Sequence, residues 1–171
     1  MITEGSRRTE ARAETAGRME GLYRAHAADA LRLAYLLTGD VGLAEDLMQD
    51  AFVRVFGRFR DIRERDAFWF YLRRTIVNLS NSHFRRKRVE RAWLERQRPE
   101  EGVPPADVAE RERLRAALAL LRPEQRAAVV LRFYEDLSEV DTARVLDCPV
   151  GTVKSMVSRA MDRLRAEIEK E

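Results

Sequence analysis

The chain has 171 residues, 45% hydrophobic and 36% charged, which is enough apolar material for a buried core. Its 32 basic and 29 acidic residues leave a net charge of only +3, so any nucleic-acid surface has to arise from local clustering rather than overall charge. The single Cys148 excludes an internal disulfide and a cysteine metal cluster and fits a reducing cytosol, while 8 Gly and 5 Pro among abundant Ala, Arg, Leu and Glu favour helix throughout.

The first 18 residues are polar and charged, with no apolar signal-peptide core, and read as a disordered extension. No later segment approaches the ~18 uninterrupted apolar residues of a membrane span. Residues 19–88 form a first helical block, broken at "TGD" (38–40) and at "GRFRDIRERD" (57–66). Between those breaks, "AEDLMQDAFVRVF" places Leu47, Met48, Ala51, Phe52 and Val55 on an inner face and leaves Asp46, Gln49, Asp50 and Arg54 facing out. Glu45, Asp46 and Asp50 make a poor metal site, because no partner helix supplies a second ligand set.

"FWFYLRRTIVNLSNSHFRRKR", residues 68–88, combines five aromatic residues with Arg73, Arg74, Arg85, Arg86, Lys87 and Arg88 and carries no acid. Rings beside guanidinium groups suit single-stranded DNA, since bases stack on the rings while the cations follow phosphates. Trp69, Phe70, Leu72, Ile76 and Leu79 also read as core. The basic charge asks for an anionic partner, because six uncompensated cations within 16 residues repel one another.

Residues 89–108 hold Pro99, Gly102, Pro104 and Pro105 and read as a flexible linker. Beyond it, residues 109–171 form a second block, with helices expected over 107–121, 123–134, 138–146 and 150 to about 169. Pro123 opens one helix and Ser138 caps the next, with Asp141 three residues on. In the short helix Val140, Ala143 and Leu146 face inward. A corner at "DCP" leads to a longer helix striped with Val153, Val157, Ala160 and Leu164.

That succession is a helix-turn-helix whose second helix enters the major groove. Gly151 permits close backbone approach, and Lys154 and Arg159 reach phosphates or guanine edges from a face shared with Thr152, Ser155 and Ser158. An ordinary amphipathic helix with a solvated charged face accounts for the same spacing. The architecture expected is all-α: two small helical domains joined by a flexible linker, the second containing the helix-turn-helix.

Residues 121–165, above all "GTVKS" followed by "SRA", resemble region four of bacterial sigma factors in the compact extracytoplasmic-function (ECF) group of the sigma-70 family. Residues 22–88 resemble region two, in the family's order. The resemblance implies that Gly151, Thr152, Lys154, Ser155, Ser158 and Arg159 bind the upstream, minus-thirty-five promoter element. It also implies that Arg73, Arg74, Asn78, Arg85, Arg86 and Arg88, with the loop "RDIRERD", read and melt the minus-ten element, and that Asp46, Gln49 and Asp50 dock on core RNA polymerase. Promoter DNA and core polymerase are the implied partners, an anti-sigma factor a further one, and the cytoplasm the implied location. Four positions depart from the family pattern. Asp141 and Thr142 stand where Glu and an aliphatic residue are usual, Asp147 where Gly is common, and Met156 where Arg is common.

The alternative from the residues is a dimeric helix-turn-helix regulator that binds DNA without polymerase. An enzyme is disfavoured: His26 and His83 belong to no motif, no glycine loop cradles phosphate, and no nucleophile has an evident base, so no catalytic residue, cofactor or metal is assigned. His83, within the basic segment, reads as exposed or facing DNA.

Overall fold

The computed structural model describes the backbone of residues 4–58, 65–94 and 109–168 and the side chains of 13–58, 67–87 and 112–167. Its elements are α1 (Glu4–Thr38), α2 (Val41–Gly57), α3 (Arg65–Leu94), α4 (Ala109–Ala119), α5 (Pro123–Val129), α6 (Glu139–Leu146) and α7 (Val150–Ile168). The all-α expectation holds.

Helix α1 runs straight through the stretch read as a disordered extension. Its Ala, Glu and Arg residues are strong helix formers and no proline interrupts them, although residues 13–18 are exposed and bury nothing. The helix ends where Gly39 takes a left-handed φ of 72° and its N–H donates to the Tyr35 carbonyl at 2.7 Å. Asp40 immediately opens α2, its Oδ1 accepting the Leu43 N–H at 2.8 Å. The resulting short turn packs α2 onto α1.

The first core forms between Leu33, Ala34 and Leu37 of α1, Leu47, Ala51, Phe52 and Val55 of α2, and Phe68, Leu72 and Ile76 of α3. The rings of Phe52, Phe56 and Phe68 meet with centroids 5.5 to 6.1 Å apart. Helix α3 is continuous to Leu94, so it occupies the first part of the stretch read as linker. Residues 95–108, with the linker prolines, lie outside the described residues.

In the second half Pro123 sits in the first turn of α5, and Gln125 Oε1 accepts the Arg122 N–H at 3.2 Å. The helix then widens into a π-helical turn over Val130–Tyr134, closed by the Glu135 N–H on the Val130 carbonyl at 3.0 Å. Ser138 caps α6, its Oγ accepting the Asp141 N–H at 3.0 Å and donating to Asp141 Oδ2 at 2.6 Å. The expected inward face of α6 needs correction at one position. Val140 is 57% exposed, because the buried arc of this short helix is set by Thr142, Ala143 and Val145.

The corner turns on Asp147, which takes the left-handed conformation (φ 55°, ψ 49°), while the Cys148 N–H reaches back to the Ala143 carbonyl at 3.1 Å. Aspartate enters this region occasionally and less readily than glycine, so the corner forms without glycine at some cost in backbone ease. The two halves do not stay apart. Helix α3 packs on α5 and α6, α1 on α4 and α5, and Leu118, Leu121, Leu131 and Val145 join the same buried cluster as the first domain's core.

Candidate nucleic-acid interface

Helix α7 is oriented by what it buries. Val153 and Ala160 are fully buried against α5 and α6, with Val157 and Leu164 half-buried along the same stripe. Gly151, Thr152, Lys154, Ser158 and Arg159 are therefore exposed, with Ser155 and Met156 half-buried beside them. Ser155 Oγ donates to the Thr152 carbonyl at 2.9 Å. Lys154 Nζ lies 3.4 Å from Glu139 Oε2 with both side chains well solvated, a pairing weak enough for a phosphate to displace. A helix start carrying the exposed Lys154 is suited to phosphate, and Arg159, further along the same exposed face, has the fork needed for a guanine edge.

Helix α3 divides the residues assigned to the minus-ten element between two sides. Asn78, Arg85 and Arg86 are exposed, and Asn78 lines a groove of about 580 Å³ with Arg54, Arg58, Tyr71, Thr75 and Ser82. The Arg88 side chain and loop residues 59–64 lie outside the described residues. Arg73 and Arg74 instead face the second half of the chain. Arg73 Nε and Nη2 both meet Glu135 Oε2, at 2.8 and 2.7 Å, and Arg74 Nη2 lies 3.1 Å from Asp147 Oδ2.

The groove brings in three residues that sequence reasoning did not assign to nucleic acid. Arg54 and Arg58 lie one turn apart at the end of α2, and Tyr71 is the aromatic of the "FWFY" run that stays 47% exposed. The spacing of seven between Tyr71 and Asn78, two helical turns on one face, was the available signal. Phe68 is fully buried, and Trp69 and Phe70 pack against the core, as their core reading requires.

Neither histidine lines this groove. His26 stacks on Trp69 with centroids 5.3 Å apart, and burial lowers its pKa against the opposing pull of Asp29. His83 is half-buried rather than exposed: it packs edge-on to Phe84 at 5.4 Å, and its Nε2 is buried without a hydrogen-bond partner. Burial lowers its pKa, Lys87 and Arg86 add to that effect, and Asp40 opposes it.

On α2, Asp46, Gln49 and Asp50 are all exposed, and Asp50 Oδ2 accepts from Arg54 Nη2 at 3.3 Å. Val53, one turn further along the same face, is 70% exposed. An exposed apolar residue in line with the acids was visible in the sequence as a break in the polar face. Among the described residues no three His, Cys, Asp or Glu side chains come together as a metal site, and no helix is long and apolar enough to cross a membrane.

Comparison with known proteins matches residues 22–90 to sigma-70 region 2 and residues 111–164 to sigma-70 region 4. The chain is 38% identical over 146 residues to the RNA polymerase sigma-E factor of Streptomyces avermitilis, covering 81% of this chain and 78% of that one. It is 33% identical over 144 residues to an ECF RNA polymerase sigma factor of Mycobacterium tuberculosis, covering 80% and 75%. A sigma factor from Bartonella quintana, solved in complex with an anti-sigma factor, shares the fold with a TM-score of 0.63 at 24% identity, over 94% of this chain and 97% of that one. Both regions, in order and on one helical fold, place the chain in the sigma-70 family, as an ECF sigma factor that binds core RNA polymerase and directs promoter-specific transcription initiation.

Proposed function

We propose that three surfaces divide this work. The exposed start of α7, with Gly151, Thr152, Lys154, Ser155, Ser158 and Arg159, reads the minus-thirty-five element. Helix α3, with Asn78, Arg85 and Arg86 on one side, Arg73 and Arg74 on another, and Arg88, binds the minus-ten element as its strands separate, and Arg54, Arg58 and Tyr71 extend the Asn78 side. Asp46, Gln49 and Asp50 on α2 dock on core polymerase. The observation that carries the reading is the burial of Val153 and Ala160, which turns the polar half of α7 outward.

A dimeric regulator acting without polymerase would use the first domain to dimerise, which leaves the match of residues 22–90 to sigma-70 region 2 unexplained. The sigma factor from Bartonella quintana was solved with an anti-sigma factor, which supports a partner of that kind here too. Together with the absence of a membrane-spanning helix among the described residues, family membership supports action in the cytoplasm as an initiation factor with no chemistry of its own.

Footprinting the holoenzyme on a two-element promoter tests the division. Lys154→Ala and Arg159→Ala should weaken upstream protection, by ~1–3 kcal/mol where the lost contact is bidentate to guanine. Asn78→Ala should weaken downstream protection alone. Protection of both elements unchanged in all three variants would detach these faces from promoter recognition.

A further inference from the structure

The contact between the two halves of the chain uses the same cations that the proposed function assigns to DNA. Arg73 and Glu135, 62 residues apart in sequence, form an ion pair whose side chains are only 11% and 8% exposed. The Arg73 guanidinium also lies 5.0 Å over the Trp69 ring. Next to it, Arg74 reaches Asp147 Oδ2 and, from Nη1, the Arg144 carbonyl at 3.4 Å. Asp147 occupies a left-handed corner that glycine would enter more readily, so this position gives up backbone ease and presents a carboxylate to α3.

A third arginine works in the opposite direction. Arg126 of the second domain donates from Nη1 to the Leu37 carbonyl at the end of α1 at 2.7 Å and lies 5.3 Å over the Phe84 ring. The three contacts hold the second domain against the side of α3 that carries Arg73 and Arg74. Asn78, Arg85 and Arg86 remain open to solvent.

We propose that this interface is a self-occluding latch, in which Glu135 and Asp147 take the places of DNA phosphates on Arg73 and Arg74 and keep the free protein from binding single-stranded promoter DNA. Carboxylate and phosphate satisfy the same guanidinium fork, so one position on α3 cannot hold both. A nucleic acid that binds only the open form shifts the population toward it, and its apparent affinity falls by the open fraction. The proposal rests on the reading of α3 as a DNA-facing helix, and the experiment separates the two.

Full-length Glu135→Lys, Glu135→Gln and Asp147→Gly are compared with the parent chain by solution scattering and by anisotropy with a fluorescent single-stranded oligonucleotide carrying the minus-ten sequence. Far-ultraviolet dichroism verifies folding, and Glu135→Gln, close in shape to the parent, decides the matter if the charge reversal does not fold. Both Glu135 variants should have a larger radius of gyration and bind the oligonucleotide about tenfold more tightly, as for a latch closed some nine-tenths of the time. Asp147→Gly should show a smaller change in the same direction, because its pair with Arg74 is solvated. An unchanged radius and affinity in the Glu135 variants overturns the latch, and so does expansion without tighter binding. Adding Arg73→Ala and Arg74→Ala to Glu135→Gln should abolish the gain. If the gain survives, Glu135 and Asp147 do not stand in for phosphates on Arg73 and Arg74, and the latch as proposed is overturned.

Discussion

At the scale of single residues, one departure from the family pattern leaves a polar group stranded in the core. Thr142 is fully buried and its Oγ1 has no hydrogen-bond partner. Thr142→Val keeps the shape and removes the stranded hydroxyl, so it should stabilise the protein by about 1–3 kcal/mol, measured as a higher urea midpoint at unchanged slope. A lower midpoint would mean that the hydroxyl is satisfied in solution.

The half-buried imidazoles make a second claim at this scale. His26 and His83 both have pKa values lowered from 6.5 by burial, so the folded state prefers them neutral. The unfolded chain then takes up protons first on acidification. Stability contributed by the neutral rings is complete above about pH 6.5 and declines as the pH falls from there through the lowered folded values. Thermal melts across this range should show the decline, and His83→Gln should make it shallower. An equal decline in the variant would remove His83 as a contributor. Sequence placed His83 among the cations but did not reveal its burial, because the helix face it occupies is covered only once α3 meets its neighbours.

At the scale of elements, each candidate surface is the solvent side of a helix whose other side is locked into core. On α2, Leu47, Met48, Ala51, Phe52 and Val55 are all buried, so Asp46, Gln49, Asp50 and Val53 must face outward. Asp46→Arg and Asp50→Arg should preserve the fold and weaken assembly with core polymerase, since reversal turns attraction into repulsion at an interface. The dissociation constant of the holoenzyme measures this, and parental affinity in both variants would exclude the face from docking. The inner positions of α2 were legible because a 17-residue amphipathic helix leaves little freedom in which side is buried. Val140 was misjudged in α6 because an eight-residue helix has few buried positions to define its stripe.

At the scale of the whole molecule, the continuation of α3 to Leu94 shortens the segment that spans the two domains. Between Leu94 and the start of α4 at Ala109 lie 14 residues, 95–108, with a reach of at most ~46–50 Å. Two promoter elements about two helical turns apart are separated by roughly 70 Å, so the domains' own widths must cover the difference. Deleting residues 99–105 removes up to ~25 Å of that reach without touching either core. The deletion should leave core polymerase binding intact and sharply reduce transcription from two-element promoters, and a Gly/Ser segment of equal length should restore most of it. Full activity of the deletion in run-off transcription would show that the segment does not limit the span.

The helical class, the order of the domains, the core stripes of α2 and α7, the cap at Ser138 and the helix start at Pro123 could all be read from the chain alone. Each depends on residues a few positions apart, and the period of an α-helix converts such spacing directly into faces. The pairing of Arg73 with Glu135, the reach of Arg126 to the Leu37 carbonyl and the joining of Tyr71 with Arg54, Arg58 and Asn78 in one groove were decided only by tertiary structure. These contacts connect separate helices, and two of them cross the linker. No local periodicity states which charged side of one helix will meet which side of another, because that depends on how the buried faces of both domains pack together.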